Sequence, residues 1–140
     1  FGDSSLVIAV PSGWIDVDNI YDLIELSYEY KGRSENLKLA TKYPNLVRRK
    51  LENYDVHNIV LVSASGGLEA APIIGYADII ADITVTGKTM KENNLKPLKD
   101  GVLFNSQACV ITSNSIPKDL NIEFLNIIKK LKSVGKSENI

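Results

Sequence analysis

One run of apolar, β-branched residues constrains the fold more than any other feature of this sequence. Residues 58–64 (Asn-Ile-Val-Leu-Val-Ser-Ala) show no alternation of polar and apolar side chains, and the run stops at Ser65-Gly66-Gly67. Such a run is typical of a strand that is covered on both faces. Strands of this kind occur in parallel sheets that have helices on either side. We therefore expect an α/β protein with a buried strand here.

Other segments alternate between strand and helix in the way that parallel β-α-β units require. Short apolar runs predict further strands at 6–10, 37–41 and 78–83, and residues 102–113 are expected to be extended. Apolar residues at three- and four-residue spacing predict helices from Asp16 or Asp18 to about Gly32, from Pro44 to about Asn53, and at 68–74, 86–93 and 120–132. The fold class that follows is α/β, with a mostly parallel sheet flanked by helices on both faces.

Composition excludes several classes of protein. The sequence has one cysteine and one histidine, so neither an internal disulfide nor a zinc site built on several thiolates can form. Cys109 lies in an apolar run and is expected in the core, whereas His57 is expected at the surface. A net charge of −1 argues against nucleic-acid binding through bulk positive charge. Because we find neither a membrane-spanning apolar run nor a secretion signal, we expect a cytoplasmic protein without membrane or nucleic-acid partners.

A loop rich in threonine follows the predicted strand at 78–83. In the segment 82–89 (Asp-Ile-Thr-Val-Thr-Gly-Lys-Thr), Gly87 allows close approach of the backbone, and the first amides of the next helix favour an anion. A nucleotide P-loop would need glycine where Asp82 stands, so that motif is rejected. A sugar phosphate fits better, with the carboxylate accepting hydrogen bonds from two ribose hydroxyls. The alternative is that Asp82 only caps a turn and the threonines are solvated.

A second loop with small residues follows the strand at 58–64. Its Gly66 and Gly67 favour close approach of a phosphate, and Glu69 stands in the first turn of the next predicted helix, where it could instead serve only the helix dipole. Because parallel strands end at the same edge of a sheet, the two loops together suit a substrate with two phosphorylated ends. Arg48 and Arg49 follow the strand at 37–41, and a solvated helix face is the simpler interpretation for them.

Three segments, in this order, resemble the catalytic core of ATP phosphoribosyltransferase, the enzyme that opens histidine biosynthesis. They are Leu-Ala-Thr-Lys-Tyr-Pro-Asn-Leu at 39–46 with Arg48-Arg49, Ser-Gly-Gly-Leu-Glu-Ala-Ala-Pro at 65–72 with Gly75, Ala77 and Asp78, and residues 82–93 with Thr-Gly-Lys-Thr-Met at 86–90. The resemblance extends from Leu6 to the last helix. It implies one lobe of a two-lobed fold like that of periplasmic binding proteins, and it favours the sugar-phosphate interpretation of residues 82–89.

The resemblance implies a reaction and a set of site residues. In that family, N1 of the adenine of ATP attacks C1 of phosphoribosyl pyrophosphate, Mg²⁺ stabilises the departing pyrophosphate, and N1-phosphoribosyl-ATP results. Asp82 would bind the ribose hydroxyls, and Glu69 with Gly66 and Gly67 would face the pyrophosphate and metal. The residues implied to bind the 5′-phosphate are Thr84, Thr86, Gly87, Lys88 and Thr89. The residues implied to contact the nucleotide are Thr41, Lys42, Tyr43 and Arg49.

The chain departs from the family pattern at both ends. The residues of a first lobe would precede Phe1, and the allosteric domain of long members would follow the last helix. We expect residues 1–113 to be the second lobe, and residues 114–140 to be a returning helix and frayed tail that pack on a first lobe. The implied partners are ATP, phosphoribosyl pyrophosphate, further copies in a homo-oligomer and, for a short form, a regulatory subunit related to histidyl-tRNA synthetase. Without a first lobe, we expect poor turnover and self-association through the last helix.

Two other functions remain open from the residues. A non-catalytic module that binds small ligands, of the solute-binding type, would share this kind of α/β lobe, although the loop at 82–89 counts against it. A phosphoribosyltransferase that uses another base is the second alternative, and Tyr43-Pro44 and residues 69–72 argue against that.

Overall fold

The computed structural model describes residues 2–111, 113 and 120–137. Two compact units are present, Ser4–Ser106 and a second unit that contains both chain ends. The elements of the first unit are β1 (Ser4–Pro11), α1 (Ile20–Gly32), β2 (Leu37–Thr41), α2 (Pro44–Asn53), β3 (Ile59–Ser63), a 3-10 helix (Leu68–Ala70), β4 (Ile79–Thr84), α3 (Lys88–Glu92) and β5 (Leu95–Ser106). The second unit contains α4 (Asn121–Ser137). Within the described ranges, no helix combines the length and the hydrophobicity that a membrane crossing requires.

The five strands form one sheet in the order β3-β2-β4-β1-β5. Strands β3, β2 and β4 are parallel, whereas β1 lies antiparallel to both β4 and β5. The α/β class is confirmed, but the sheet is mixed rather than mostly parallel. The reason is that β1 enters the sheet from the opposite direction, and the apolar pattern of a strand carries no information about its direction.

Alternate residues of the strands build a separate core on each face of the sheet. On one face, Ile8, Leu39 and Ile79 pack with residues of α1 and α2, such as Leu23 and Val47. On the other face, the core contains Ala9, Ala40 and Ile80, together with Leu68 of the 3-10 helix and Met90 of α3. Because successive side chains of a strand point to opposite faces, this division also decides the direction in which each site residue points.

The strand β3 is at the edge of the sheet, and the exposure of Val60 on one of its faces overturns the expectation that both faces are covered. Ile59 and Leu61 are half-buried against the core beneath α2, while Val60 is 43% exposed. A run of apolar residues reports the affinity of a strand for a sheet, but the position of the strand in the sheet depends on partners that are distant in sequence.

The N-cap of α1 is neither Asp16 nor Asp18, the two predicted caps, but the residue after Asp18. Asn19 is its N-cap: the Asn19 side chain accepts a hydrogen bond from the Asp22 amide, and the Asp22 carboxylate accepts one from the Asn19 amide. Asp18 instead pairs with Lys96 and Lys99 of β5, at 2.6 and 2.7 Å. Local sequence patterns could not predict these two ion pairs, because the lysines lie 78 and 81 residues away from Asp18 in the chain.

Four further predictions need correction in detail. The helix predicted at 68–74 is reduced to the 3-10 helix and turns, and the helix predicted at 86–93 is reduced to α3. The strand β5 lies at 95–106 rather than at 102–113, and Cys109 is exposed rather than in the core, because it lies after the end of β5. His57 is exposed, as predicted, and the last predicted helix is confirmed as α4, with Ile122 and Leu125 exposed.

Candidate active site

The three loops that the sequence singled out follow strands that end at one edge of the sheet. Thr41, the last residue of β2, is in register with Ser63 of β3 on one side and with Ala81 of β4 on the other. The amide of Ala64 also donates a hydrogen bond of 3.2 Å to the carbonyl of Thr41. Ligands of α/β sheets bind at this carboxyl edge, beside the helices that follow the strands.

Asp82 is a nearly buried carboxylate at that edge, with 8% of its surface exposed. It lies two residues after Ile80, so it points to the face that carries the 3-10 helix and α3. Its Oδ1 accepts a hydrogen bond of 2.8 Å from the amide of Ile83. A carboxylate has about four acceptor positions, so one such bond leaves capacity for the hydroxyl groups of a ligand.

The loop after β4 is organised by its own hydroxyl groups. Thr84 Oγ1 accepts a hydrogen bond of 2.8 Å from the Gly87 amide, and Thr86 Oγ1 accepts one of 3.4 Å from the Lys88 amide. Gly87 has a φ of 70°, in the left-handed region that favours glycine, and α3 begins at the next residue. The bend is therefore formed before any ligand arrives. The side chains of Thr86, Lys88 and Thr89 remain exposed, and the Lys88 ammonium lies 3.8 Å from Glu92.

The loop after β3 lies on the same face as Asp82, because it leads into the 3-10 helix. Gly67 has a φ of 60° and precedes Leu68, which is buried in the core of that face. Gly66 and Gly67 are exposed and Glu69 is half-buried. Residues 63–68 line one wall of a surface depression of about 310 Å³. The structure therefore brings this loop, Asp82 and the loop of Thr84 and Gly87 to one edge and one face.

Thr41, Tyr43 and Arg49 are not brought to that face, because they lie on the side of the sheet where α2 packs. Thr41 is fully buried beneath α2, and its Oγ1 accepts a hydrogen bond of 3.1 Å from the Tyr43 amide. Tyr43 packs against the core on the α2 side, and Lys42 and Arg49 are exposed. The end of β2, followed by the exposed Lys42, shares the carboxyl edge with Asp82.

Tyr76 belongs to the same neighbourhood and was missed by the sequence analysis. Its hydroxyl donates a hydrogen bond of 2.9 Å to the carbonyl of Ser63, and its ring lines the depression beside the glycine loop. A tyrosine that follows Ile74-Gly75 carries no local signal for this role, because the contact depends on the turn that brings residue 76 back to the end of β3.

The described part of the chain contains no group of three or more histidine, cysteine, aspartate or glutamate side chains that could hold a metal ion. Mg²⁺ commonly uses one or two protein carboxylates together with oxygens of a bound phosphate. The half-buried Glu69, in the 3-10 helix after the glycine loop, is a carboxylate of that kind, so the residues present fit a magnesium ion that is held mainly by a substrate.

Known proteins resemble this chain over most of its length. The family model described as ATP phosphoribosyltransferase matches residues 1–133. The chain belongs to the ATP phosphoribosyltransferase family. The ATP phosphoribosyltransferase of Rhizobium etli is 42% identical over 113 residues, which are 79% of this chain and 49% of that protein. The enzyme of Agrobacterium fabrum is 36% identical over 135 residues, 95% of this chain and 59% of that protein.

A solved structure shows the same fold. The ATP phosphoribosyl transferase complex of HisG and HisZ from Thermotoga maritima matches with a TM-score of 0.56 and 31% identity, over 75% of this chain and 42% of that chain. The chain therefore spans about half the length of the ATP phosphoribosyltransferases that it matches. Membership of this family does not favour the alternative of a non-catalytic solute-binding module.

Proposed function

We propose that this chain carries the phosphoribosyl pyrophosphate site of an ATP phosphoribosyltransferase, a glycosyltransferase that acts in the cytoplasm. The observation that supports the proposal is the position of Asp82. This nearly buried carboxylate lies at the carboxyl edge of the sheet, on the same face as two glycine loops with left-handed backbone at Gly67 and Gly87. A buried carboxylate is costly without partners, and two ribose hydroxyls would supply them.

In the proposed reaction, N1 of the adenine of ATP forms a bond to C1 of the ribose, and the bond from C1 to the pyrophosphate oxygen breaks. The electron pair of that bond leaves with the pyrophosphate, so positive charge develops on the ribose ring. The Asp82 carboxylate would stabilise this charge where it develops, since it is held in place before the reaction begins. Mg²⁺, when bound, supplies charge compensation for the pyrophosphate.

The two loops would hold the two phosphorylated ends of the substrate. The bend that Thr84 and Gly87 form would receive the 5′-phosphate, with the exposed Thr86, Lys88 and Thr89 as donors. Gly66, Gly67 and Glu69 would face the pyrophosphate and its metal ion. Their positions support this division, because both loops leave the sheet on the face to which Asp82 points.

The proposal also includes a nucleotide site and a regulatory partner. Thr41, Lys42, Tyr43 and Arg49 are proposed for ATP on the family resemblance, although Thr41, Tyr43 and Arg49 lie on the α2 side of the sheet. A regulatory subunit related to histidyl-tRNA synthetase is proposed because the matched complex from Thermotoga maritima contains HisZ beside HisG. A homo-oligomer is proposed on the resemblance.

Calorimetric titration with phosphoribosyl pyrophosphate and Mg²⁺ tests the site. We expect Asp82→Asn to weaken binding about tenfold or more, since hydrogen bonds to a charged acceptor contribute about 1.5–3 kcal/mol. Gly87→Val should also weaken binding, because a β-branched side chain opposes the left-handed backbone at that position. Glu35→Gln is the matched control, since it removes one exposed carboxylate near the start of β2, at the opposite edge of the sheet. Equal binding by the wild-type chain and Asp82→Asn would contradict the assignment.

A further inference from the structure

The backbone carbonyl of Ser63 faces the outer side of the edge strand β3. The Ala64 amide donates a hydrogen bond inward, to the Thr41 carbonyl of β2, and the polar backbone groups of successive strand residues point to opposite sides. The groups of Ser63, one residue earlier, therefore point away from β2, and among the described residues no strand pairs with that side of β3. The Tyr76 hydroxyl supplies the missing donor, at 2.9 Å from the carbonyl oxygen.

This hydrogen bond closes an excursion of the chain between Ser63 and Tyr76. The segment 64–75 leaves the end of β3, passes through the glycine loop and the 3-10 helix, and returns through Gly75, which has a φ of 74°. The amides of Tyr76 and Ala77 fix the return, because both donate to the carbonyl of Ala71, at 3.0 and 3.4 Å. Tyr76 therefore joins a fixed turn to the residue from which the glycine loop begins.

The glycine loop presents a run of free amides between two anchored ends. The amides of residues 65–69 donate no hydrogen bond to any acceptor in the described part of the chain. Gly67, in the middle of the run, has left-handed backbone, and the fully buried Leu68 anchors the end toward the 3-10 helix. Successive free amides around a left-handed residue form a concave site for an anion. Such a site binds best when its amides are held in direction before the anion arrives, so the anchoring of both ends matters.

We propose that Tyr76 is a positioning residue for the pyrophosphate group of the substrate: its hydroxyl fixes Ser63 and, through Ser63, the free amides of residues 65–69. This inference rests on the proposed function, which assigns the pyrophosphate to the glycine loop. Without the hydroxyl, the start of the loop is held only on its inner side, by the hydrogen bond from Ala64 to Thr41. The Tyr76 ring lines the depression beside the loop, and that packing does not need the hydroxyl, so the two contributions can be separated.

Calorimetric titration of the 140-residue chain with phosphoribosyl pyrophosphate and Mg²⁺, and separately with ribose 5-phosphate, tests the inference. We expect Tyr76→Phe to raise the dissociation constant for phosphoribosyl pyrophosphate about fivefold, the usual effect of losing one hydrogen bond. The constant for ribose 5-phosphate should stay within about twofold, since this ligand lacks the pyrophosphate and would use the bend at Thr84 and Gly87. Tyr28→Phe is the matched control: it removes an exposed hydroxyl from α1, on the other face of the sheet, and should leave both constants within about twofold.

Hydrogen exchange without ligand shows whether the effect is local. In Tyr76→Phe, exchange of the Ala64 amide should become about fivefold faster, whereas exchange of the Ile80 amide, within β4, should be unchanged. If Tyr76→Phe binds phosphoribosyl pyrophosphate as tightly as wild type while Asp82→Asn binds it more weakly, the inference alone is overturned. An equal loss of affinity for the two ligands also overturns it, because the hydroxyl would then stabilise the fold rather than position one loop. Equal binding by the wild-type chain and Asp82→Asn overturns the proposed function and this inference with it.

Discussion

Asp18 shows how single residues fix the entry into α1. Its carboxylate accepts hydrogen bonds from the ammonium groups of Lys96 and Lys99 at 2.6 and 2.7 Å. These hydrogen bonds, with Lys96 the stronger influence, lower the pKa of Asp18 from 3.8 to about 2. The Asp18 carbonyl also accepts a hydrogen bond of 2.8 Å from the Lys99 amide. One residue therefore connects the start of α1 to the edge strand β5.

The lowered pKa predicts how acid affects stability. A carboxyl group whose pKa is lower in the folded state stabilises that state above its unfolded pKa, and the contribution is lost as the pH falls. We therefore expect the Asp18 contribution to be complete above about pH 4 and to disappear as the pH falls from about 4 to about 2. Urea denaturation of the wild-type chain and of Asp18→Asn at several pH values measures this contribution to the free energy of unfolding. The difference in unfolding free energy between the two should shrink over that interval, and a constant difference would contradict the prediction.

Gly87 provides a second prediction at the scale of one residue. Its φ is 70°, and no heavy atom lies within 4 Å of an added Cβ, so alanine would meet backbone strain but no steric clash. We expect Gly87→Ala to lower the free energy of unfolding by about 1 kcal/mol. Gly13→Ala is the matched control, because its Cβ also meets open space and its φ lies outside the strained region. Chemical denaturation that finds both variants equally stable would show that the bend does not require glycine.

At the scale of elements, α1 depends on a reciprocal cap that lies outside its regular turns. The Asn19 side chain accepts from the Asp22 amide at 3.1 Å, and Asp22 Oδ2 accepts from the amides of Asp18 and Asn19 at 2.8 and 3.1 Å. The amide of Ile20 donates to Asp100 Oδ1 at 2.8 Å. The first turn of the helix is therefore stabilised both by its own residues and by β5.

Removal of the cap should have a measurable cost. We expect Asn19→Ala to lower the free energy of unfolding by about 1 kcal/mol, the usual effect of losing an N-cap side chain. Asn19→Ser should retain most of the stability, because a serine hydroxyl can accept the same hydrogen bond. Thermal or urea unfolding of the wild type and the two variants measures the differences in stability. An Asn19→Ala chain as stable as wild type would mean that the hydrogen bond from the Ile20 amide to Asp100 is enough to stabilise the first turn.

Local patterns predicted most of the elements but not their places in the sheet. Pro44 and the apolar spacing of Val47 and Leu51 located α2, because those signals act within one helix. The edge position of β3 and the direction of β1 depend on pairing between residues far apart, such as Leu6 with Ile83, which no local pattern encodes. Cys109 was misplaced for a related reason, since an apolar run does not show whether a strand continues into it.

The candidate site could be predicted to a similar degree. The loops around Gly67 and Gly87 were recognisable because glycine and threonine have specific backbone uses at strand ends, and the structure brings both loops to one face. The sequence could not predict that Thr41 lies on the other face of the sheet from Asp82, because that depends on which face α2 covers. The contact of Tyr76 with Ser63 could not be predicted either, because it depends on the turn that brings residue 76 back to the end of β3.

At the scale of the whole molecule, the chain spans about half the length of its relatives. We expect it to bind phosphoribosyl pyrophosphate with Mg²⁺ but to form phosphoribosyl-ATP at least about a hundredfold more slowly than a relative of full length, since misplaced or absent positioning groups cost about that factor. Ultraviolet absorbance of the product, with the Agrobacterium fabrum enzyme as the reference, measures the rate. Turnover equal to that enzyme would contradict the prediction and show that these 140 residues suffice for catalysis.

The place of β1 has a consequence for how the protein is made. This strand is synthesised first, yet it lies between β4 and β5 and pairs with Thr84 and Ser106 near the end of the compact unit. On the ribosome, the apolar segment Leu6 to Val10 therefore emerges long before either neighbour exists, and its pairing requires closure of a loop of most of the unit. During that interval its apolar side chains have no partners in the sheet, so the segment is exposed to association with other chains until β4 and β5 have been made.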